Sequence, residues 1–519
     1  MRNILTLSTL ALGLAFSASL AAAPPDTLKG HITADKTLDT NKTWILSGYV
    51  AVDSPAVLTI MPGTQVQGQK STKGTLAIMR GAKLIAEGTK EMPITFTSDE
   101  AVGSKTRGSW GGIVLLGKAK TNLTGTPAFE ALADWTYGGT DDNDSSGSMK
   151  YVRIEVPGFP VAPDKELNGL TFCTIGRKTK ISYVQVHNGD DDGFEWFSGT
   201  VSPDHLIVTN QVDDGFDSDN GFSGNVSWSI NMQGADADRA RVYIVKDHLG
   251  ADSTVTLPNE LVGDKCFESS STKVAGGAAT PVTNPTWSHI TAIDNGKSGG
   301  AINMNQYALG TFDHVLLVGD SSAYTVKLDQ AGSNAGLIAG TPTVKFIKTY
   351  SAGTWKVPFI TDDAANATTI QSTLAALIKN VSSPLYKDLS LANDTLKADT
   401  VGAIMGNDLW YKDWTLPGTM VYAKGLDVSG ISPSSRGAKV ASELLSAQIN
   451  AGNLLINSIA SLQISVDVVD LAGKSLVTKK GIILSVGENN LGKLWNNLPT
   501  GSHYLVIRSG TYSLHQKLN

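Results

Sequence analysis

The sequence has few cysteines, few charged residues and no long apolar run after its first 23 residues. Among 519 residues, 2 are cysteine and 17% are charged, and the net charge is −6. Because there is no basic patch or basic tail, nucleic acid is not an expected partner. No later segment approaches the run of about 18 apolar residues that a membrane helix requires. These absences argue against nucleic-acid-binding proteins and helical membrane proteins.

The two cysteines, Cys173 and Cys266, are 93 positions apart and belong to no C-x-x-C pair. Without such pairs, neither a zinc site nor a redox motif is supported. The sequence leaves two alternatives open, one disulfide or two buried free thiols.

Short segments with apolar residues at alternate positions recur along the chain and end in Asn, Asp or Gly. The segments at 182–188 and 204–210 are 22 residues apart, and the next step, from 207–210 to 228–231, is 21. A repeat of about 20 residues with one short strand is typical of a solenoid. We therefore predict an all-β protein whose main part is a right-handed parallel β-helix. A set of β-sandwiches is the alternative, but it does not require a constant step.

The chain is predicted to have three parts. Residues 1–23 have a charged start, an apolar stretch and a final Ala-Ala-Ala, as in a secretory signal peptide, with a retained membrane anchor as the alternative. Residues 24–435 are assigned to the β-helix, with one helix over 364–380. Residues 438–519 are assigned to a small β-sandwich with hairpin connections. Within the β-helix, we expect 130–148 and 270–286 to project from the side as loops.

Two acidic segments, HNGDDDGFEWFSG at 187–199 and VDDGFDSDNGFSG at 212–224, repeat at the same step of 22. In a β-helix, such positions stack on neighbouring coils about 4.8 Å apart. Phe194 is then expected over Phe216, as an inward ladder. Two stacked carboxylates repel by roughly 4 kcal/mol at an effective dielectric of about 20. The stacked acids therefore need a cation, N–H donors, a basic residue or a shared proton.

Calcium is the cation that fits this arrangement, because Ca²⁺ takes about six to eight oxygen ligands in flexible geometry. A second acidic run, D-x-D-x-S-G in 142–147, resembles a calcium turn. The alternative is that the acids only cap turns through Asx hydrogen bonds. The candidate ligands are Asp191, Asp192, Glu195, Asp213, Asp214, Asp217, Asp219, Asp142 and Asp144.

Catalysis by these acids is a further alternative. A pair of carboxylates about 6.5–9.5 Å apart can hydrolyse a glycosidic bond with inversion, and a lyase would need Ca²⁺ with a basic residue. No Gly-His-Gly run and no Arg-x-Lys run accompanies the acidic segments, and nothing beyond proximity in sequence recommends Arg239, Arg241 and Lys246 as the base of a lyase. His205, His289 and His314 lie inside strand repeats, where we expect structural roles. No catalytic residue is therefore assigned.

Aromatic residues accompany the acidic segments. Rings beside acids can bind sugars by stacking, and core packing is the alternative. The candidate ligand-binding residues are Trp196, Phe197, Trp135 and Tyr137.

The C-terminal segment resembles the sorting domain of cargo for the type IX secretion system of Bacteroidota. The resemblance rests on D-x-x-G-K at 470–474, L-P-x-G at 498–501 and the following Tyr504. Two residues separate Gly501 from that tyrosine, where the usual pattern has one. The resemblance implies the type IX secretion machinery as a partner and a secreted or outer-membrane-surface location.

The body of the chain resembles a family of secreted β-helix proteins from the same bacteria. The matching stretches include LTIMPGTQVQG at 58–68, GSWGGIVLLG at 108–117 and DDGFEWFSGTV at 191–201. The resemblance implies the fold and no assigned activity. We therefore expect a calcium-stabilised surface binding or structural protein, with a glycan or another cell-surface component as ligand. A polysaccharide lyase or a glycoside hydrolase is the alternative.

Overall fold

The structure is a computed structural model, and it describes most of the chain from Ala23 onward. The predicted signal peptide therefore lies, except for its last residue, outside the described residues. No helix among the described residues has the length and apolar character needed to cross a membrane. The described residues are 23–101, 104–130, 132–161, 165–233, 242–246, 252–256, 263–274, 277–294, 300–319, 324–328, 347–351, 357–361, 365–369, 371–372, 378–380, 403, 410–411, 413–416, 445–450, 453–458, 462–470, 475–484, 487–492, 503–509 and 512–518.

Nearly all of the regular structure is β-strand, with one short 3-10 helix at Lys70–Thr72. The strands of the first half are β1 (Ala23–Ile32), β2 (Lys36–Leu38), β3 (Lys42–Val52), β4 (Val57–Ile60), β5 (Gln65–Gly68), β6 (Thr75–Ile78), β7 (Lys83–Glu87), β8 (Ile94–Ser98), β9 (Gly112–Leu116), β10 (Ala128–Phe129), β11 (Leu132–Thr136), β12 (Gly147–Glu155), β13 (Leu170–Ile175), β14 (Lys180–His187), β15 (Phe194–Gly199), β16 (Asp204–Thr209), β17 (Phe216–Asp219), β18 (Asn225–Met232), β19 (Val242–Lys246) and β20 (Asp252–Thr256). Those of the second half are β21 (Lys265–Ser269), β22 (Lys273–Val274), β23 (Gly277–Ala278), β24 (Thr286–Ile293), β25 (Gly300–Met304), β26 (Thr311–Asp313), β27 (Val315–Gly319), β28 (Tyr324–Leu328), β29 (Ile347–Ser351), β30 (Val357–Thr361), β31 (Ile378–Asn380), β32 (Leu445–Asn450), β33 (Asn453–Ser458), β34 (Leu462–Asp470), β35 (Ser475–Leu484), β36 (Gly487–Asn490), β37 (His503–Ser509) and β38 (Tyr512–Leu518).

Parallel pairing joins 25 of the described strands into one continuous sheet system. Its pairs form three ladders, so each coil contributes three strand segments. Face 1 contains β2, β4, β7, the first parts of β12, β14, β16, β18 and β24, and then β26. Face 2 contains β5, β8, the second parts of the same long strands, and then β27, β29 and β31. Face 3 contains β6, β9, β13, β15, β17, β21, β25, β28 and β30. The parallel β-helix predicted from the repeat is confirmed.

At the corner between faces 1 and 2, successive aromatic residues adopt the left-handed backbone conformation and stack their rings as a ladder. His205 has φ 54° and His289 has φ 54°. The ring of His205 stacks on Tyr183 at 4.4 Å, and the ring of His289 stacks on Trp228 at 4.2 Å and on His314 at 4.8 Å. A left-handed L-residue costs about 1–2 kcal/mol, and each ring pair offsets about 0.5–1.5 kcal/mol of that. These histidines therefore hold the bend of the chain.

Aromatic side chains fill the interior behind face 3. Phe194 stacks on Phe216 at 6.1 Å, as the step of 22 predicts. Trp196 is fully buried and lies 5.3 Å from Phe172 on one side and 5.3 Å from Phe222 on the other. The rings therefore form a continuous stack through successive coils.

We expected the segment over 130–148 to project from the side as a loop. Instead, its first part belongs to the β10–β11 hairpin, which covers the outer side of face 3. The β10–β11 hairpin brings Phe129, Trp135 and Tyr137 into a second apolar cluster with Phe197. Asn122 anchors this cover, because its Nδ2 donates to the Pro281 carbonyl at 3.0 Å. The expectation was wrong because the outward side chains of β9 and β13 on face 3, such as Val114, Leu116 and Cys173, are apolar and need burial.

The two cysteines lie in different packing clusters. Cys266 belongs to the interior core, whereas Cys173 belongs to the cluster under the hairpin. Both are buried and free, so of the two alternatives the free thiols are confirmed.

The C-terminal part forms antiparallel sheets, β32–β33–β36 and β35–β34–β37–β38. β34 and β35, which pair antiparallel, lie on either side of the D-x-x-G-K run, since β34 ends at Asp470 and β35 begins at Ser475. In the helix predicted over 364–380, residues 367–369 and 371–372 are helical. Its last three residues instead form β31, which pairs with β29 on face 2.

Candidate cation site

Three successive strands of face 3, β15, β17 and β21, carry acids on their outer side. Phe194, Phe216 and Phe267 are in register and point to the interior. Because side chains alternate along a strand, the next residues, which are Glu195, Asp217 and Glu268, point outward. The predicted stacking of Glu195 over Asp217 is confirmed, and Glu268 extends the column by one acid that the sequence did not suggest.

The acids of this column meet those of the turns that precede the strands. Three overlapping triads each bring one ligand oxygen per residue within 4.8 Å of the others. We call these residues together the acidic cluster. The first triad is Asp191, Asp192 and Asp213, the second is Asp192, Glu195 and Asp217, and the third is Asp213, Asp214 and Asp264.

The acidic cluster unites six of the nine sequence-predicted ligands and adds Asp264. Asp219 lies two residues after Asp217 on β17 and belongs to none of the triads. Asp142 and Asp144 are elsewhere, where they cap the loop at 118–120. The Asp144 Oδ2 atom accepts the Lys118 N–H at 2.9 Å, and the Asp142 Oδ2 atom lies 2.9 Å from Lys120 Nζ. The side chains of these two residues therefore cap backbone N–H groups and form one ion pair, and neither residue belongs to the triads.

Within the cluster, two aspartates cap the next coil. The Asp214 N–H donates to Asp192 Oδ1 at 2.8 Å, and the Lys265 N–H donates to Asp214 Oδ1 at 2.7 Å. Capping therefore accounts for one oxygen of Asp192 and one of Asp214.

Other oxygens beside the column have no donor. Asp217 Oδ1, Asp219 Oδ1 and Asn168 Oδ1 are buried and lack a hydrogen-bond partner among the described residues. Asn168 is 1% exposed, and its Nδ2 donates to Glu195 Oε2. A buried acceptor without a donor costs about 1–3 kcal/mol. Of these residues, Asp217 belongs to the second triad, where a hard cation would satisfy such an oxygen.

Burial raises the pKa of Asp192, Glu195 and Asp217 well above the usual range, and neighbouring carboxylates raise each pKa further. The pKa of Asp219 is raised to about 7, first by burial and then by Glu268. Without a cation, protonation is therefore favoured in the column, because several adjacent charges cannot all be ionised in a desolvated site.

The hairpin cover adds a further carboxyl group. Glu130 follows Phe129 at the end of β10, and Glu166 is buried beneath the cover. Although Glu130 is exposed as a residue, desolvation of its carboxyl group and the charge of Asp219 raise its pKa to about 7. No sequence pattern indicated Glu130, because hairpin docking brings it to the column, where its charge acts on Glu195.

The four candidate ligand-binding rings are buried. Trp196 is 0% exposed in the interior core, and Phe197, Trp135 and Tyr137 are between 3% and 7% exposed in the cluster under the hairpin. Phe129 packs against Trp135 at 6.3 Å and against Phe197 at 6.1 Å. These rings present no free face to a sugar, so packing describes them better than ligand binding.

The family model of the pectate-lyase-like β-helix domain matches residues 30–415. The chain belongs to this family. No curated protein matches the chain. The matched range covers all three faces of the β-helix and ends before the C-terminal sheets, so family membership bears on the β-helix domain and the acidic cluster.

Proposed function

We propose that the chain is a secreted or surface-delivered β-helix protein that binds a cell-surface component and is stabilised by Ca²⁺. The observation that carries the calcium proposal is the second triad, Asp192, Glu195 and Asp217, with the unpartnered Oδ1 of Asp217. Carboxylates and an amide carbonyl are ligands that Ca²⁺ prefers. Soft or imidazole ligands, which favour zinc or copper, are not part of these triads.

Calcium should raise the stability of the full chain, and Asp217→Asn should abolish this effect. A ligand at about 100 times its Kd stabilises the folded state by about 2.7 kcal/mol. We expect a higher melting temperature in Ca²⁺ than in chelator for the wild type. In chelator, Asp217→Asn should be at least as stable as the wild type, because it removes one of the repelling acids.

Asp142→Asn is the matched control, since Asp142 pairs with Lys120 outside the cluster. It should keep the full response to Ca²⁺. A wild-type melting temperature that is the same in Ca²⁺ and chelator would refute the calcium proposal.

Export rests on the predicted signal segment over 1–23 and the sorting segment over 438–519, which stay predictions. The antiparallel C-terminal sheets support a separate unit in the second segment. Unchanged delivery of a chain that lacks 438–519 to the cell surface would contradict the sorting role.

Polysaccharide cleavage is a second candidate function, which family membership favours. Inverting hydrolysis needs one protonated and one ionised carboxyl group, and Glu130 and Asp219 each have a pKa of about 7. Such a pair supplies both forms near neutral pH.

A panel of acidic and neutral glycans, with and without Ca²⁺, separates the two functions. As a binding protein, the chain should retain one or more glycans and release no product. Product that disappears in Glu130→Gln but persists in the exposed control Glu91→Gln would instead establish the hydrolase and contradict the binding role.

A further inference from the structure

Asn168 takes the place of an acid at one end of the acidic cluster. Asn168, Asp192 and Asp214 each lie two residues before the first paired residue of β13, β15 and β17, so they occupy equivalent positions on successive coils. The residue after Asn168 donates its N–H to the Asp192 carbonyl at 3.0 Å, and the residue after Asp192 donates to the Asp214 carbonyl at 2.9 Å. An amide therefore stands where the next two coils have a carboxyl group.

The amide group of Asn168 reaches the second triad. Its Nδ2 donates to Glu195 Oε2 and lies 3.4 Å from the Oγ1 of Thr171, the residue that pairs with Glu195 between β13 and β15. Asn168 is 1% exposed, and its Oδ1 has no hydrogen-bond partner among the described residues. A buried carbonyl oxygen without a donor is unfavourable, so the contact with Glu195 satisfies only half of this amide.

A cation in the second triad would reverse the preferred orientation of the Asn168 amide. An N–H dipole is favourable beside a carboxylate, whereas beside a bound cation the C=O dipole is favoured. A half-turn about χ2 exchanges Oδ1 and Nδ2 with almost no change of shape. The Thr171 hydroxyl can keep its contact, because it donates to an oxygen as well as it accepts from a nitrogen. The nitrogen then takes the unpartnered place, so the exchange adds an ion contact and no further unpartnered atom.

We infer that Asn168 is a neutral ligand of the cation in the second triad and that its amide turns when the ion binds. In the ion-free state, the same group holds Glu195 through its N–H. The ligands are then three carboxylates and one amide oxygen, a mixed set that suits Ca²⁺, which takes about six to eight oxygens. This inference rests on the calcium proposal and adds a ligand to it.

The test compares two substitutions by calorimetric titration of the metal-free full chain with Ca²⁺. Asn168→Leu keeps the approximate shape and removes the oxygen, so the Ca²⁺ affinity should fall by at least about tenfold. Asn168→Asp keeps an oxygen and adds a charge, so at a pH of about 8 it should bind Ca²⁺ at least as tightly as the wild type. Its affinity should also depend more steeply on pH, because one more carboxyl group must lose its proton.

Asn305→Leu is the matched control. Asn305 Nδ2 donates to Glu268 Oε1 at 2.6 Å, so this amide also holds an acid of the column, but neither residue belongs to the triads. Asn305→Leu should keep the wild-type affinity for Ca²⁺.

The order of the affinities separates a ligand from a residue that only positions Glu195. An ionised aspartate cannot donate a hydrogen bond, so a purely positioning role predicts the same loss in Asn168→Asp as in Asn168→Leu. That result, or an unchanged affinity in Asn168→Leu, overturns the inference and leaves the calcium proposal intact. If Asn168→Leu does not fold, Asn168→Asp decides alone: weaker binding, or the affinity and pH dependence of the wild type, overturns the inference. A wild type that binds no Ca²⁺ contradicts the calcium proposal, and this inference with it.

Discussion

Trp196→Ala should lower the free energy of unfolding of the β-helix by about 3–5 kcal/mol. Trp196 is fully buried, with its ring between Phe172 and Phe222 at 5.3 Å on each side and Trp287 edge-on at 5.7 Å. Truncation removes the central ring from a stack that spans several coils. Because solenoid repeats contact mainly their neighbours, the loss should concentrate in the coils that carry the acidic cluster, and Ca²⁺ affinity should fall as well.

Denaturant unfolding followed by circular dichroism, together with Ca²⁺ titration, measures both effects. Trp196→Phe should cost much less than Trp196→Ala, because the indole Nε1 has no hydrogen-bond partner among the described residues. Met61→Ala is the control at a side chain that is 45% exposed, where about 0.5 kcal/mol or less is expected. Equal costs for the alanine and phenylalanine variants would contradict the stacking argument.

The stacking of Phe194 on Phe216 and of Glu195 on Asp217 was predictable, because one coil separates them and the step of 22 is visible in the sequence. The third coil was not predictable in this way. Asp214 and Lys265 are adjacent in space but 51 residues apart, since the chain leaves the solenoid between β18 and β21. A constant step in the sequence identifies residues of neighbouring coils only where no insertion separates those coils. Asp264, Lys265 and Glu268 were therefore missed.

The β10–β11 hairpin over face 3 shows a second limit of prediction from the sequence. Trp135 and Tyr137 were recognisable as aromatic residues beside acids, and a sequence does not say whether such rings face solvent or protein. The outward positions Val114, Leu116 and Cys173 are apolar and fully or almost fully buried. Their burial depends on the β10–β11 hairpin, which lies between β9 and β13 in the sequence and folds over both strands. The same docking brings Glu130 to Asp219, so part of the candidate site exists only through tertiary structure.

In the acidic cluster, the repulsion between stacked acids is relieved in three different ways. A repeat that stacks acids also repeats their repulsion. Asp192 and Asp214 are stabilised by N–H groups of the next coil, whereas Asp214, Asp264 and Glu268 are stabilised by Lys265. In the second triad, no lysine or arginine among the described residues forms an ion pair with Asp192, Glu195 or Asp217, and Asp217 Oδ1 lacks a donor. The repulsion among the acids of the second triad is then relieved either by protonation or by cation binding, and these two compete.

Calcium affinity should therefore rise steeply with pH. The pKa values of Asp192, Glu195 and Asp217 are raised by burial and by their neighbours. Ca²⁺ binds the ionised groups, so each displaced proton gives about a tenfold gain in affinity per pH unit while the groups are still protonated. Two displaced protons would give about 100-fold per unit. Titration in buffers with different ionisation enthalpies counts the protons directly, and an affinity independent of pH would contradict the arrangement.

The stabilisation of the chain by Ca²⁺ should grow as pH rises. A carboxyl group whose folded pKa is raised contributes stability below its unfolded pKa of about 4, and this is lost as pH rises through the folded value, which is about 7 for Asp219. His187 acts in the opposite sense, because burial lowers its pKa to about 4, so its contribution is lost as pH falls. The difference between the melting temperatures in Ca²⁺ and in chelator cancels such groups outside the cluster. That difference should grow from pH about 5 to about 8 in the wild type, and it should be close to zero throughout in Asp217→Asn, whose triad lacks one ligand charge.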